Sequence, residues 1–232
     1  MVASIDLSGL ERHIKLRRDS RARRMALRLD PAQRCVHFVL PRFASTSKAQ
    51  AFIDDHRQWV MDRINELPEC IALEAGAILP ILGREVRVVV EKDSSRRSTH
   101  IELQDYTLLV QTNLDEYEPR IKRFLKSLAR EYLTDILKEK TAQLEKKPKK
   151  VQIRDTKTRW GSCSAEGNIS LSWRLIFAPP DAMDYVVAHE AAHLIHMDHS
   201  KKFWAQCEDL CVGYKSGKKW MKSEGYTLHQ FG

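Results

Sequence analysis

The sequence predicts an α+β protein. A β-rich N-terminal part with one helix spans 1–115, and a more helical unit built around a histidine-bearing helix spans 116–232. Three observations carry this. Short alternating apolar segments broken by turn formers fill the first part. Apolar residues recur at helical spacing after Pro119. An H-E-x-x-H run, His189-Glu190-Ala191-Ala192-His193, follows an apolar stretch that reads as a buried helix.

Taken in order, Arg24–Leu29 and Cys35–Leu40 alternate as strands around the turn-forming Asp30-Pro31. Ser45 or Thr46 opens an amphipathic helix with Phe52, Trp59, Val60, Ile64 and Leu67 on its core face. Strands follow at Glu85–Val90 and Leu108–Gln111, joined by the polar loop Ser94–Thr99. Pro119 starts a long helix that runs to about Lys146, with Ile121, Leu125, Leu128, Tyr132, Ile136 and Leu137 on its apolar face. The Lys146–Lys150 stretch around Pro148 ends it. Strands are then expected at Val151–Arg154, Lys157–Ser162 and Asn168–Ser172, punctuated by Gly161 and Gly167, before the motif helix begins after Pro179-Pro180.

At about 3.6 residues per turn, His189 and His193 lie one turn apart on one helical face, where both imidazoles can bind one metal ion. Glu190 points about a quarter turn away, poorly placed to ligate but able to reach a water on the metal. Two histidine ligands and one glutamate base are the arrangement of zinc peptidases. Four of the nine histidines fall within 189–199, and an unpaired His and Glu in an apolar helix would be costly. For the third ligand, His196 continues the same face, but a straight helix spreads His189, His193 and His196 over about 10 Å. Three ligands in a line cannot wrap an ion whose bonds to nitrogen are only ~2.0–2.1 Å. His199 is favoured, because a turn at His196–Asp198 and a new helix capped by Ser200 bring it in from another direction.

The same H-E-x-x-H-x5-H spacing occurs in metzincins, but those carry a glycine where this chain has His196. Arg159-Trp160-Gly161-Ser162-Cys163-Ser164, Arg174–Pro180, Tyr185–Glu190 and His199-Ser200-x-x-Phe203-Trp204 together resemble the YgjP-like metallopeptidases, a family related to the SprT-like and WLM zincins. The resemblance covers most of the chain and is strongest over 154–204. Ala191 departs from it, standing where the family carries a larger apolar residue. The resemblance implies a zincin-like metallopeptidase unit with an HExxH active-site helix, one Zn²⁺ per chain on His189, His193 and His199, and a peptide or protein substrate. Glu190 would be the general base that takes a proton from a zinc-activated water. It also makes the strand at Trp160 and Gly161 the candidate substrate-binding edge, with Gly161 allowing close backbone approach. Alternatively, Trp160 only plugs the core above the active helix. The oxyanion donor stays open among Tyr185, Arg174 and Tyr214.

The composition, 43% apolar and 30% charged, suits a water-soluble globular chain. No run approaches the ~20 apolar residues of a membrane helix, and the first six residues carry no secretory signal. Five cysteines without a disulfide-like spacing point to a reducing, cytoplasmic setting. Cys207 and Cys211, one helical turn apart, read as small buried residues rather than a second metal pair. The net charge of +8 is concentrated: eight Lys/Arg and one acid lie between Arg12 and Arg28, and a second basic stretch runs from Lys146 to Arg159. The N-terminal patch, Arg17, Arg18, Arg21, Arg23 and Arg24, suits weak, non-specific nucleic-acid binding. It also motivates two alternatives, a nucleic-acid-associated protein with a mainly structural zinc, or a protease acting on DNA-bound proteins. The intact Glu190 argues against the first, since a structural site has no use for a general base.

Overall fold

A computed structural model of the chain describes residues 5–232; positions 1–4, part of the stretch on which the expectation about a secretory signal rests, lie outside the described residues. Contacts divide the chain into two units, Met1–Glu69 and Cys70–Gly232. The boundary expected at 115/116 therefore falls inside the second unit, and the strands between 78 and 112 belong with the histidine-bearing helix.

In the first unit, β1 (Ile14–Asp19), β2 (Ala26–Asp30) and β3 (Cys35–Pro41) form a sheet in the order β1-β3-β2. The central β3 runs parallel to β1 and antiparallel to β2. Its alternate residues Val36, Phe38 and Leu40 are buried on one face, as the period of two requires. The strand β1 has no counterpart in the sequence pattern, because Lys15, Leu16, Arg17 and Arg18 are all exposed and show no alternation. Its pairing and its charge are those of a protected edge. The single helix expected after Ser45 is two helices, α1 (Thr46–Asp55) and α2 (Arg57–Asn65). Ser45 caps the first as expected, accepting from the Lys48 amide. At His56 the ring Nδ1 donates to the Phe52 carbonyl at 2.7 Å. In a continuous α-helix that acceptor belongs to the residue's own amide, which instead donates to Ile53. The apolar stripe survives the break, with Ala49, Ile53, Val60, Ile64 and Leu67 buried, although Trp59 is 39% exposed and lies outside the core.

In the second unit, β4 (Ile78–Ile81), β5 (Arg84–Lys92), β6 (His100–Gln104) and β7 (Thr107–Thr112) pair in the order β4-β5-β7-β6. Two of these, β4 and β6, go beyond the expected strands. Pro80 lies in β4, on a sheet edge where a strand tolerates proline. In β6 only Ile101 and Leu103 are half-buried. The long helix α3 (Glu118–Ala142) buries Ile121, Leu125, Ala129, Leu133 and Leu137 at four-residue intervals, while Tyr132 is 39% exposed. It stops short of Lys146 because Lys147 Nζ folds back onto the Ala142 and Leu144 carbonyls at 2.8 and 2.9 Å, satisfying groups the helix leaves open.

A third sheet contains β8 (Lys150–Arg154), β9 (Gly161–Cys163) and β10 (Asn168–Ser172) in the order β8-β10-β9. The strand expected from Lys157 contracts to Gly161–Cys163 at an edge. Helices α4 (Pro180–Ala192), α5 (Lys201–Leu210) and α6 (Tyr214–Ser223) complete the unit. The architecture is mixed α+β. Among the described residues no helix is long and apolar enough to cross a membrane.

Candidate metal centre and active site

The helix α4 begins at Pro180, where a missing amide costs nothing. It is apolar nearly all round, with Ala182, Met183, Val187, Ala188, Ala191 and Ala192 buried, which is the mark of a helix enclosed by its neighbours. Ala191, the departure from the family pattern, is fully buried among them. The helix α6 crosses α4 at Gly217, where a Cβ would lie 2.6 Å from Tyr185 Cβ. Only a glycine lets the two backbones come this close. Into this packed frame α4 carries His189 and Glu190, and it ends with His193 as its C-cap.

Past His193 the chain turns, and the break follows from identifiable bonds. The His196 carbonyl accepts from His193 Nδ1 at 2.9 Å. Asp198 accepts from the Ser200 amide at 3.1 Å, and Ser200 then caps α5 by accepting from the Phe203 amide. The turn swings His199 back toward α4. The candidate donor atoms of His189, His193 and His199 all lie within 4.8 Å of one another. His196 is absent from this group; its contribution is the carbonyl that holds His193. Because that carbonyl can only accept, His193 carries its proton on Nδ1, leaving Nε2 as a free lone pair turned to the other rings. Phe203, fully buried, packs against all three imidazoles, with ring centroids 5.0, 4.5 and 4.7 Å from those of His189, His193 and His199.

The donor set suits a zinc ion. His189 Nε2 and His199 Nε2 are 3.3 Å apart. Bonds of ~2.0–2.1 Å at the tetrahedral angle place two ligand nitrogens about 3.3–3.4 Å apart. Burial, then the neighbouring His193 and His199, push the His189 pKa down to about 4. Burial also lowers that of His193. Both rings are thus held neutral, the form that binds metal. His189 Nδ1 is buried without a hydrogen-bond partner among the described residues, so packing orients that ring.

Glu190 is 5% exposed and lies against β9. Burial pushes its carboxyl up to about 8, against the pull of Arg159. A Cβ on Gly161 would sit 2.5 Å from both Glu190 Cγ and Oε1. The expected reason for Gly161, room for a substrate backbone, is thus joined by a firmer one: the glycine makes room for the carboxylate. Gly161→Ala should push Glu190 aside and lower turnover roughly ten- to hundredfold, the scale of a 1 Å misplacement, with metal content unchanged. Unchanged turnover would show that the carboxylate has another resting place.

Beside these groups opens a cleft of about 350 Å³, lined by Trp160, Gly161, Tyr185, Glu190, Lys218 and Lys222 among others. Trp160 is half-buried and packs on His229 at 4.7 Å between centroids, so it borders the cleft and fills space behind it. Of the three oxyanion candidates only Tyr185 lines this cleft. Tyr214 packs on Trp204. Arg174 is buried elsewhere, with its guanidinium given to Asp155 and to the Phe231 and Gly232 carbonyls. Lys218 and Lys222 are additions to the expected site residues. Both stand on the basic face of α6, and Lys218 Nζ lies 3.5 Å from the Trp204 ring centroid. Burial raises the Cys163 thiol to about 11, far from a nucleophile. Cys207 and Cys211 are buried, with thiols pushed up to about 11 and about 12 by burial.

A family model described as the YgjP-like metallopeptidase domain matches residues 23–224. A solved structure, the metallopeptidase zymogen of Pyrococcus abyssi abylysin, is 27% identical over 40% of this chain and 95% of that one, with a TM-score of 0.36. A search of curated proteins found no match. With the family model running through both units and across the histidine cluster, the chain belongs to the YgjP-like metallopeptidases.

Proposed function

We propose that this metallopeptidase cuts peptide bonds at one zinc ion per chain, held by His189, His193 and His199, with Glu190 as general base. The observation that carries the reading is the convergence of three imidazoles, with two Nε2 atoms at the separation zinc requires. When bound, the ion would lower the pKa of a water to about 7 and polarise the scissile carbonyl.

The rest falls to the chain. Glu190, buried beside the donors, takes a proton from the attacking water and returns it to the leaving amine nitrogen. Its buried site favours the neutral acid, which helps it hold the proton between those steps. With a dication held by the imidazoles, the resting Glu190 carboxylate would instead stay charged. The edge strand β9 offers free backbone groups to an extended peptide, with Trp160 at its start. Tyr185 supplies a hydroxyl, and Lys218 a cation, to the wall of the cleft where an oxyanion would form. The five cysteines, with no disulfide among the described residues, fit a reducing compartment, the cytoplasm. A mainly structural zinc is disfavoured by the buried carboxylate next to it, which such a site would not use. Metal analysis with a proteolysis assay of the wild type beside Glu190→Gln tests the reading. A zinc-loaded wild type that cuts no unfolded protein and does not cut itself overturns it.

A further inference from the structure

We propose that the N-terminal unit binds single-stranded nucleic acid in a groove between the β1–β2 turn and the loop leading into α1. The groove has a volume of about 670 Å³, nearly twice that of the cleft at Glu190. Arg23, Arg24, Arg42 and Lys48 line it, and no acidic residue does. The basic N-terminal stretch is therefore not one uniform patch. Arg17 and Arg21 pair with Asp19. Arg18 donates to the Arg42 and Ala44 carbonyls at 3.2 and 3.3 Å, bracing the loop that forms one wall. Among the described residues, Arg23, Arg24, Arg42 and Lys48 have no carboxylate partner. Four like charges around one concavity repel one another until an anion neutralises them, and a strand of phosphates does so along its length.

The second observation selects the kind of anion. Phe43, in the same groove, is 89% exposed, and the Arg42 guanidinium stands 5.3 Å from its ring centroid. A bare aromatic ring flanked by arginines is a platform for an unpaired base, which a duplex keeps stacked inside itself. An acidic protein or an anionic membrane would satisfy the charges. A membrane would also bury the ring, but the Arg42 guanidinium standing over it favours a planar base, which stacks on both. This inference rests on the first unit only and stands apart from the peptidase reading.

The test is fluorescence anisotropy of the full chain with oligothymidine and oligouridine of about 16 nucleotides, near the upper end of known single-strand site sizes, beside a duplex of equal length. Single strands should bind better than the duplex, with a salt slope of about −0.7 per neutralised phosphate, and the two oligonucleotides distinguish DNA from RNA. Phe43→Ala should weaken binding roughly 5- to 150-fold, and Phe43→Trp should retain it. So exposed a side chain can be changed without loss of fold, which circular dichroism checks. Arg23→Gln with Arg24→Gln should flatten the salt slope by roughly 0.7 for each phosphate left without its arginine. Arg12→Gln with Lys15→Gln, an equal charge change outside the groove, should leave affinity nearly unchanged. The proposal is overturned by no binding at low salt, by equal duplex binding with Phe43→Ala silent, or by binding to anionic vesicles but not to oligonucleotides.

Discussion

Glu190→Gln should abolish peptide hydrolysis while leaving zinc content and fold intact. The amide is nearly isosteric with the carboxyl and fits the same space against Gly161. Burial already disfavours the charged form of Glu190, whose pKa stands at about 8, so a neutral amide there costs the fold little. In the metal-free protein the thermal midpoint should hold or rise. What is lost is the ability to take and return a proton, worth on the order of 10²–10⁴-fold. Because Glu190 is not among the converging donors, the loss should fall on turnover rather than on KM. Unfolded protein substrates and self-cleavage on storage are suitable first readouts. A glutamine variant that cuts as fast as the wild type sinks the assignment of the base.

The parts of this site that are legible in sequence are those set by local chemistry. Ser200 as a cap and the turn after His193 follow from side chains competing for nearby backbone groups. The separation of His199 from the line through His189 and His196 is helix geometry. The stripe of Ile121, Leu125 and Leu137 on α3 is likewise a matter of period. What stays hidden depends on partners distant in the chain. Nothing near Gly161 says that Glu190 will rest on it, and nothing near Lys218 says that α6 will cross α4 at Gly217. Alternation in Glu85–Val90 shows which face is buried but not against what, so pattern alone groups these strands with the N-terminal part although they share a core with α3 and α4. The helix break at His56 is illegible for a related reason. The ring captures the Phe52 carbonyl by a choice of rotamer, and the apolar stripe continues through it unchanged.

Removing the third imidazole should have an equally large effect, by a different route. His199→Ala should strip most of the zinc and with it all measurable hydrolysis. Three donors converge, and a site cut to two loses more than the 10–100-fold in affinity that changing a supporting residue costs. His199 is also the donor brought from outside α4, so without it both remaining nitrogens approach the ion from one side. His196→Ala should leave zinc and activity nearly intact, although His196 is nearer in sequence to His193. Its side chain is outside the converging group, and its backbone carbonyl, which holds His193 Nδ1, survives the substitution. Zinc per chain, measured by elemental analysis after gel filtration, separates the two variants without any assumption about substrate. If His196→Ala loses the metal and His199→Ala keeps it, the turn does not deliver the third ligand. The same result would break the link between the 3.3 Å separation of the two Nε2 atoms and metal binding.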